Sequence, residues 1–420
     1  MNPGDSAQRA HATADAVARR SYGKLVAYLA ARTHDVEAAE DALSDAFAAA
    51  LATWPARGCP ANPEAWLLIA ARRKLIDNFR TQHTNPVATE ELDRMIAAHP
   101  SETLIPDERL AMMFACAHPA IDASVRAPLI LQVVLGLDAK AIAAAFLTSP
   151  VAMGKRLVRA KTKIREAGVP FRVPERSELP SRLDTVLDAI YAAYSEGWTD
   201  PAATSAALRD LAEEGLFLAR LLVELMPDEP EALGLLALLL HTEARRQARR
   251  SKASETDETD VFVPLNRQDP ALWNAALIGE AEAFLKRAAA SGSPGRFQLQ
   301  AALQSAHVYR IRTGRNNWAD VVALYDMLLA ATGSPVVALN RAVAIGELEG
   351  PAAALCELDQ KSDLGTRLIE YQPYWAALAD LLARTGAYSE AQHAYSVAIG
   401  LERDTAVRRF LEQRLAFLLK

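Results

Sequence analysis

The sequence predicts an all-α protein: two small helical domains, the second a helix-turn-helix, followed by an array of helical hairpins. Three observations predict it. Apolar residues recur at steps of three and four in segment after segment. Residues 137–164, LDAKAIAAAFLTSPVAMGKRLVRAKTKI, read as two short helices joined by a tight turn. From Leu179 onward, amphipathic helices and polar turns follow one another, and near the end their spacing begins to repeat. The expected divisions are 1–95, 96–175 and 176–420.

Residues 1 to about 15 are Ala-rich and polar with no sustained apolar stripe, so structure is expected to begin near Ala16. Val17, Tyr22, Leu25, Val26 and Leu29 then make the buried side of a first helix. Asp35 caps a second helix that runs to Trp54 and is ended by Pro55. Ala39, Ala42, Leu43, Ala46, Phe47 and Leu51 form its packing side. Glu37, Glu40, Asp41 and Asp45 form an acidic cluster, part of it near the N-terminus, where the helix dipole favours negative charge. The loop PARGCPANP closes on Asn62-Pro63, a cap followed by proline in the first turn. A third helix, EAWLLIAARRKLIDNFR, packs through Leu68, Ala71, Leu75 and Phe79, while Arg72, Arg73, Lys74 and Arg80 make its far half basic. Residues 81 to about 105 are polar and mixed in charge, and read as a linker.

Helical pattern resumes over residues 107–118 and again over 122–135, leading into the helix-turn-helix. Ala141, Ile142 and Ala145 form one stripe of its first helix. Ser149-Pro150 is an N-cap followed by proline at the first helical position. In the second helix Met153, Leu157, Ala160 and Ile164 fall at steps of four, three and four, and Lys155, Arg156, Arg159, Lys161, Lys163 and Arg165 point elsewhere, with no acid among them. Cations gathered on a short helix suit a phosphate backbone. After Ile164 a glycine and three prolines mark the next boundary.

At 420 residues the chain exceeds one ordinary core, and a prior of about 150 residues per domain suggests about three. Cys59, Cys116 and Cys356 lie far apart and form no CxxC pair, against both a disulfide framework and a zinc site. No run reaches the roughly 20 apolar residues of a membrane span, so a soluble, cytoplasmic protein is expected. Residues 1–174 carry 21 Lys+Arg against 18 Asp+Glu, a net +3; the remainder carries 25 against 34, a net −9. Any nucleic-acid footprint belongs to the front of the chain.

AEDALSDAF (39–47), NPEAWLLIAARRKLIDNFR (62–80) and the helix-turn-helix with its RLVRAK (156–161) together resemble the second and fourth regions of a bacterial RNA polymerase sigma factor of the extracytoplasmic-function (ECF) group. DERLAMMFACAHPAI, VPFRVP (169–174) and YSEGW (194–198) resemble the subgroup with a long helical C-terminal extension. The resemblance implies that the acidic helix docks on core polymerase through Asp41 and Asp45. It implies that the loop and third helix bind the minus-ten element, with Asn62 and Trp66 bordering a pocket for unstacked bases and Arg72, Arg73 and Lys74 behind it. The basic helix would enter the major groove of the minus-thirty-five element, with Lys155, Arg156 and Arg159 nearest bases or phosphates, while Lys161 and Lys163, late in the helix, touch phosphate or nothing. Ser44 stands where the pattern usually has glutamine, Arg73 where it has asparagine, and Cys116-Ala117 where the subgroup has paired cysteines.

In the back half, Trp375, Leu378, Gly386, Ala391, Tyr395 and Ala398 match the spacing of a tetratricopeptide (TPR) unit, with looser copies before it. Such units stack, because one alone cannot bury its apolar face. Residues 251–270 are polar enough to read as a mobile loop. A curved array of this kind takes a protein or peptide partner, or else serves as a rigid body, and the subgroup resemblance implies that it governs sigma activity. No HExxH, GxxxxGK[ST] or nucleophile motif occurs, so neither enzyme activity nor a cofactor is expected. The reading is a promoter-specificity subunit acting with core RNA polymerase and promoter DNA. A TPR-type adaptor with a degenerate sigma domain and a stand-alone helix-turn-helix activator stay open.

Overall fold

Helix α1 (Pro3–Thr33) begins well ahead of Ala16. Ala10, Ala14 and Val17 form its buried stripe; alanine adds little to an apolar pattern but has the highest helix propensity, which the expected start near Ala16 overlooked. The computed structural model describes residues 3–33, 35–82, 108–146, 148–166, 174–198, 206–254, 257–292, 294–358 and 363–419, which form two units, one through Leu225 and one from Met226. Most of the linker read over residues 81–105 lies outside the described residues.

In the first unit α1 packs along α2 (Val36–Arg57) and across α3 (Pro63–Gln82). The Asp35 carboxylate accepts from the Ala38 N–H at 3.0 Å, as a cap should. Pro55 does not end α2 but sits inside it. So near the end, a proline removes only one helical bond, and Gly58, at φ 83°, closes the helix by donating to the Trp54 carbonyl at 2.9 Å. Next come α4 (Glu108–Cys116), α5 (Ala123–Val133), α6 (Ala139–Ala145), α7 (Pro150–Glu166), α8 (Leu179–Trp198) and α9 (Ala206–Leu225). Helix α4 lies on α1, and α8 packs on α5 and α9. Arg182, 2% exposed, pins the start of α8 by donating to the Phe114 carbonyl at 3.0 Å and to Glu178 at 2.7 Å. Arg109 of α4 pairs with Glu214 of α9. Thus the two helices after the proline-rich segment pack on helices that precede it. Where α1 passes the end of α5 the backbones nearly touch: a Cβ on Gly23 would stand 1.5 Å from the Val134 carbonyl oxygen.

The second unit holds α10 (Pro230–Glu243), strands β1 (Arg250–Ser254) and β2 (Asp257–Phe262), and helices α11 (Ala275–Ala289), α12 (Arg296–Thr313), α13 (Trp318–Thr332), α14 (Pro335–Leu348), α15 (Pro351–Glu357), α16 (Asp363–Arg367), α17 (Gln372–Arg384), α18 (Tyr388–Leu401) and α19 (Thr405–Leu418). Most of these helices pack chiefly on chain neighbours. In the α17–α18 pair Trp375, Leu378, Ala391, Tyr395 and Ala398 are buried, and Gly386 makes the turn at φ 84°. Residues 251–270, read as a loop, include an antiparallel hairpin with Arg250 opposite Phe262 and Ser251 opposite Val261. Its anchors are distant in sequence: Phe262 meets the Phe410 ring edge-on at 5.8 Å, and Arg250 pairs with Asp404 at 2.7 Å.

Two histidines in this unit make its stability depend on pH. His241 is wholly buried, and burial with the Arg245 charge lowers its pKa to about 4, despite Glu282 at 3.4 Å. Burial, then Arg310 and Arg245, lower that of His307 to about 4 as well. Arginine can only donate, so Arg310, 3.1 Å from Nδ1 of His307, requires that nitrogen to be an unprotonated acceptor. Both folded pKa values lie below the ordinary one, so the unfolded chain binds more protons at mildly acid pH. This contribution is complete above about pH 6.5 and falls away toward pH 4. Denaturant titrations should show a loss of about 2 kcal/mol per histidine between pH 7 and pH 5, roughly halved in His241→Gln. Equal midpoints at the two pH values would contradict it.

Candidate nucleic-acid and protein interfaces

Helix α2 sorts its residues by face. Val36, Ala39, Ala42, Leu43, Ala46, Ala50 and Trp54 are buried, which leaves Asp41, Ser44 and Asp45 exposed. Of the apolar residues expected to pack, Phe47 is half-buried and Leu51 exposed; Ala50 and Trp54 take the inner positions. Glu40 is largely covered and accepts from the Lys161 ammonium of α7 at 2.7 Å.

Asn62 caps α3: its side-chain oxygen accepts from the Ala65 N–H at 3.0 Å, and its carbonyl from the Trp66 N–H at 3.2 Å. Leu67, Ala71 and Leu75 are buried, and Leu68 is half-buried. Trp66, half-buried, sets its ring edge-on to Trp54 at 5.5 Å. Arg73 and Lys74 are exposed and Arg72 is half-buried. Lys74 lies 3.7 Å from Asp45 with both side chains about half exposed, a contact worth at most about 1 kcal/mol. The side chains of Phe79, Arg80, Ala145 and Arg165 lie outside the described residues. An acidic surface on α2 and a basic one on α3 are thus held on one small core, meeting at Asp45 and Lys74, with the two tryptophans in contact beside the loop that joins the helices.

Helices α6 and α7, expected to form a helix-turn-helix, are set by their caps. Asp138 accepts from the N–H groups of Lys140 at 3.0 Å and Ala141 at 2.8 Å, starting α6. The Thr148 N–H reaches the Ala143 carbonyl at 3.0 Å in the turn. Ser149 then accepts from the Ala152 N–H at 3.2 Å and Pro150 opens α7. Met153, Leu157 and Ala160 are buried and Ile164 half-buried. Lys155, Arg156, Arg159 and Lys163 are exposed, whereas Lys161 turns toward Glu40 and is 24% exposed. Arg156, Arg159 and Lys163 also border a cleft of about 290 Å³ with Ile121 and Val125 in its wall. Two exposed residues of α7 were not singled out in the sequence, Val151 and Val158; marking the positions opposite the buried stripe would have found them. Cys116, beneath this region, is fully buried, and burial with Glu40 nearby pushes its thiol far above the ordinary range, leaving it unreactive.

Three helices with segregated charge, and a capped pair of helices ending in the basic α7, define an all-α protein whose first unit gathers its exposed cations on α3 and α7. Residues 17–84, the second half of α1 through α3, match the family sigma-70 region 2, and residues 182–289 match a family of unknown function (DUF6596). The chain therefore carries a sigma-70 region 2 domain, a domain of transcription-initiation factors rather than of enzymes. It is 35% identical over 412 residues to Uncharacterized protein R00370 of Rhizobium meliloti (strain 1021), an alignment covering 95% of this chain and 93% of that protein, and it belongs to the same family. No solved structure matches. Among the described residues no helix is long and apolar enough to cross a membrane, and no group of three His, Cys, Asp or Glu could hold a metal ion.

Proposed function

We propose that the protein is an ECF-type sigma factor that binds core RNA polymerase and directs promoter-specific initiation, with residues 176–420 as a TPR-like regulatory extension. The observation that carries the reading is the region 2 match over residues 17–84. It falls on the three helices that present Asp41 and Asp45 on one helix and Arg73 and Lys74 on the next. In this reading residues 1–95 bind polymerase and the minus-ten element. Asp41 and Asp45 meet the polymerase; Asn62, Trp66, Arg72, Arg73 and Lys74 meet the opened strand, stacking and charge acting together. Residues 96–175 bind the minus-thirty-five element through the helix-turn-helix. Lys155, Arg156, Arg159 and Lys163 face the duplex, and Lys161 reaches it only if Glu40 lets go.

Asp41 and Asp45 are exposed, so the double reversal Asp41→Lys/Asp45→Lys leaves the core of α2 intact. It is expected to weaken binding to core polymerase at least about tenfold, since like charges across an interface are costly. Co-purification with core enzyme checks this, and unchanged binding would remove the two acids from the interface. The hairpin packing of α17 and α18, with the TPR-type spacing of Trp375, Leu378, Gly386, Ala391, Tyr395 and Ala398, supports a protein- or peptide-binding array. The regulatory role is tested by truncation after Leu225, which keeps the first unit whole. A several-fold change in promoter output supports regulation, and equal output assigns the array a passive role.

A further inference from the structure

The outward ridge of α7 carries more than charge. At about 100° per residue, Val151, Lys155, Val158 and Thr162 fall opposite the stripe of Met153, Leu157, Ala160 and Ile164. The two valines are 68% and 66% exposed, against 1% for Met153 and for Leu157. Their branched side chains favour helix less than alanine does, so they serve neither the helix nor the core. They sit two turns apart, with Lys155 between them and Arg156 and Arg159 on the flank. Cations fit phosphates and guanine edges, and an apolar group among them fits the one apolar feature that base edges offer in the major groove, the 5-methyl of thymine.

We propose that Val151 and Val158 read thymine methyl groups in the duplex promoter element bound by α7. The inference rests on the reading of α7 as the upstream promoter helix. Seven residues of helix span about 10.5 Å, or about three base-pair steps of about 3.4 Å, so the two thymines lie within about three steps of each other. Neither valine contributes to the core, so each can be shortened without unfolding α7.

The test uses the full-length protein with core polymerase. Duplexes are enriched from a random library, and each thymine of the enriched upstream element is then replaced by deoxyuridine, which removes only the methyl. Binding is expected to weaken about fourfold at each of two positions, the worth of one buried carbon. Val151→Ala and Val158→Ala should each abolish the penalty at one of them. An upstream element without thymine, no uracil penalty, or a penalty that persists in both alanine variants overturns the inference while leaving the sigma reading intact. If no sequence is enriched over core polymerase alone, the sigma reading itself fails, and this inference with it.

Discussion

Gly23→Ala is expected to lower the unfolding free energy of the first unit by about 3 kcal/mol or more, because the new methyl has nowhere to go. The atom it meets, 1.5 Å away, is the Val134 carbonyl oxygen, part of a backbone rather than the end of a side chain that can swing aside. Relief requires α1 and the end of α5 to separate, and that strains the α1–α4 packing and, through α4, the Arg182 anchor on Phe114. Gly154→Ala in the same unit is the control. Its methyl would lie 4.0 Å from the Ala139 side chain, an ordinary contact, so the gain in helix propensity should stabilise by about 0.5–1 kcal/mol. Chemical denaturation of the two variants, followed by helicity, should move in opposite directions. A Gly23→Ala midpoint equal to wild type would mean that α1 does not pass the end of α5 as described.

Removing Lys155, Arg156 and Arg159 together by alanine is expected to weaken promoter binding by the polymerase complex roughly a hundredfold, taking about 1 kcal/mol for each charged group. The dependence of affinity on salt should flatten as well, by up to about 0.9 in the log-log slope for each phosphate that is no longer neutralised. Lys161→Ala is expected to change affinity less than threefold, on the order of 0.6 kcal/mol or below. The reason is its partner: the Lys161 ammonium is 2.7 Å from Glu40 and three-quarters covered, so its charge is already answered within the protein. Titrating duplex DNA at several salt concentrations separates the two classes of cation. If Lys161→Ala flattens the slope as much as Arg159→Ala does, the Glu40 ion pair does not persist in the DNA-bound protein.

The difference between these cations marks where sequence reasoning stops. Ser149, Pro150 and the Met153–Leu157–Ala160 stripe can be read from the sequence because capping and amphipathic spacing are local, and the same holds for Asp35 and Asn62. Lys161 and Arg159 look alike in a basic helix. Only the fold brings Glu40, 121 residues away in sequence, to one of them. The early start of α1 is hidden because an alanine stripe carries little apolar signal, although it packs as closely as any. Pro55 is a stop signal by rule, yet near a helix end it costs one bond. The hairpin at 250–262 is polar along its length, and its anchors, Phe410 and Asp404, come from the far end of the chain. Similarly, nothing local to α8 says that Arg182 reaches the Phe114 carbonyl and ties that helix to the front unit.

Trp66 has a place in the fold and, in the proposed reading, one in the site. Its packing on Trp54 gives it a structural reason to be where it is, and its partial exposure leaves a face for a base. Trp66→Phe keeps an aromatic platform and is expected to retain promoter opening, whereas loss of opening in Trp66→Ala at unchanged stability would assign that face to the DNA.

Reconstituted transcription tests the sigma reading most directly. Purified full-length protein is added to bacterial core RNA polymerase on a promoter library, and the transcripts are sequenced. Discrete start sites absent with core polymerase alone, and abolished by Asp41→Lys/Asp45→Lys, are the predicted result. No initiation above core polymerase alone from any template would contradict it.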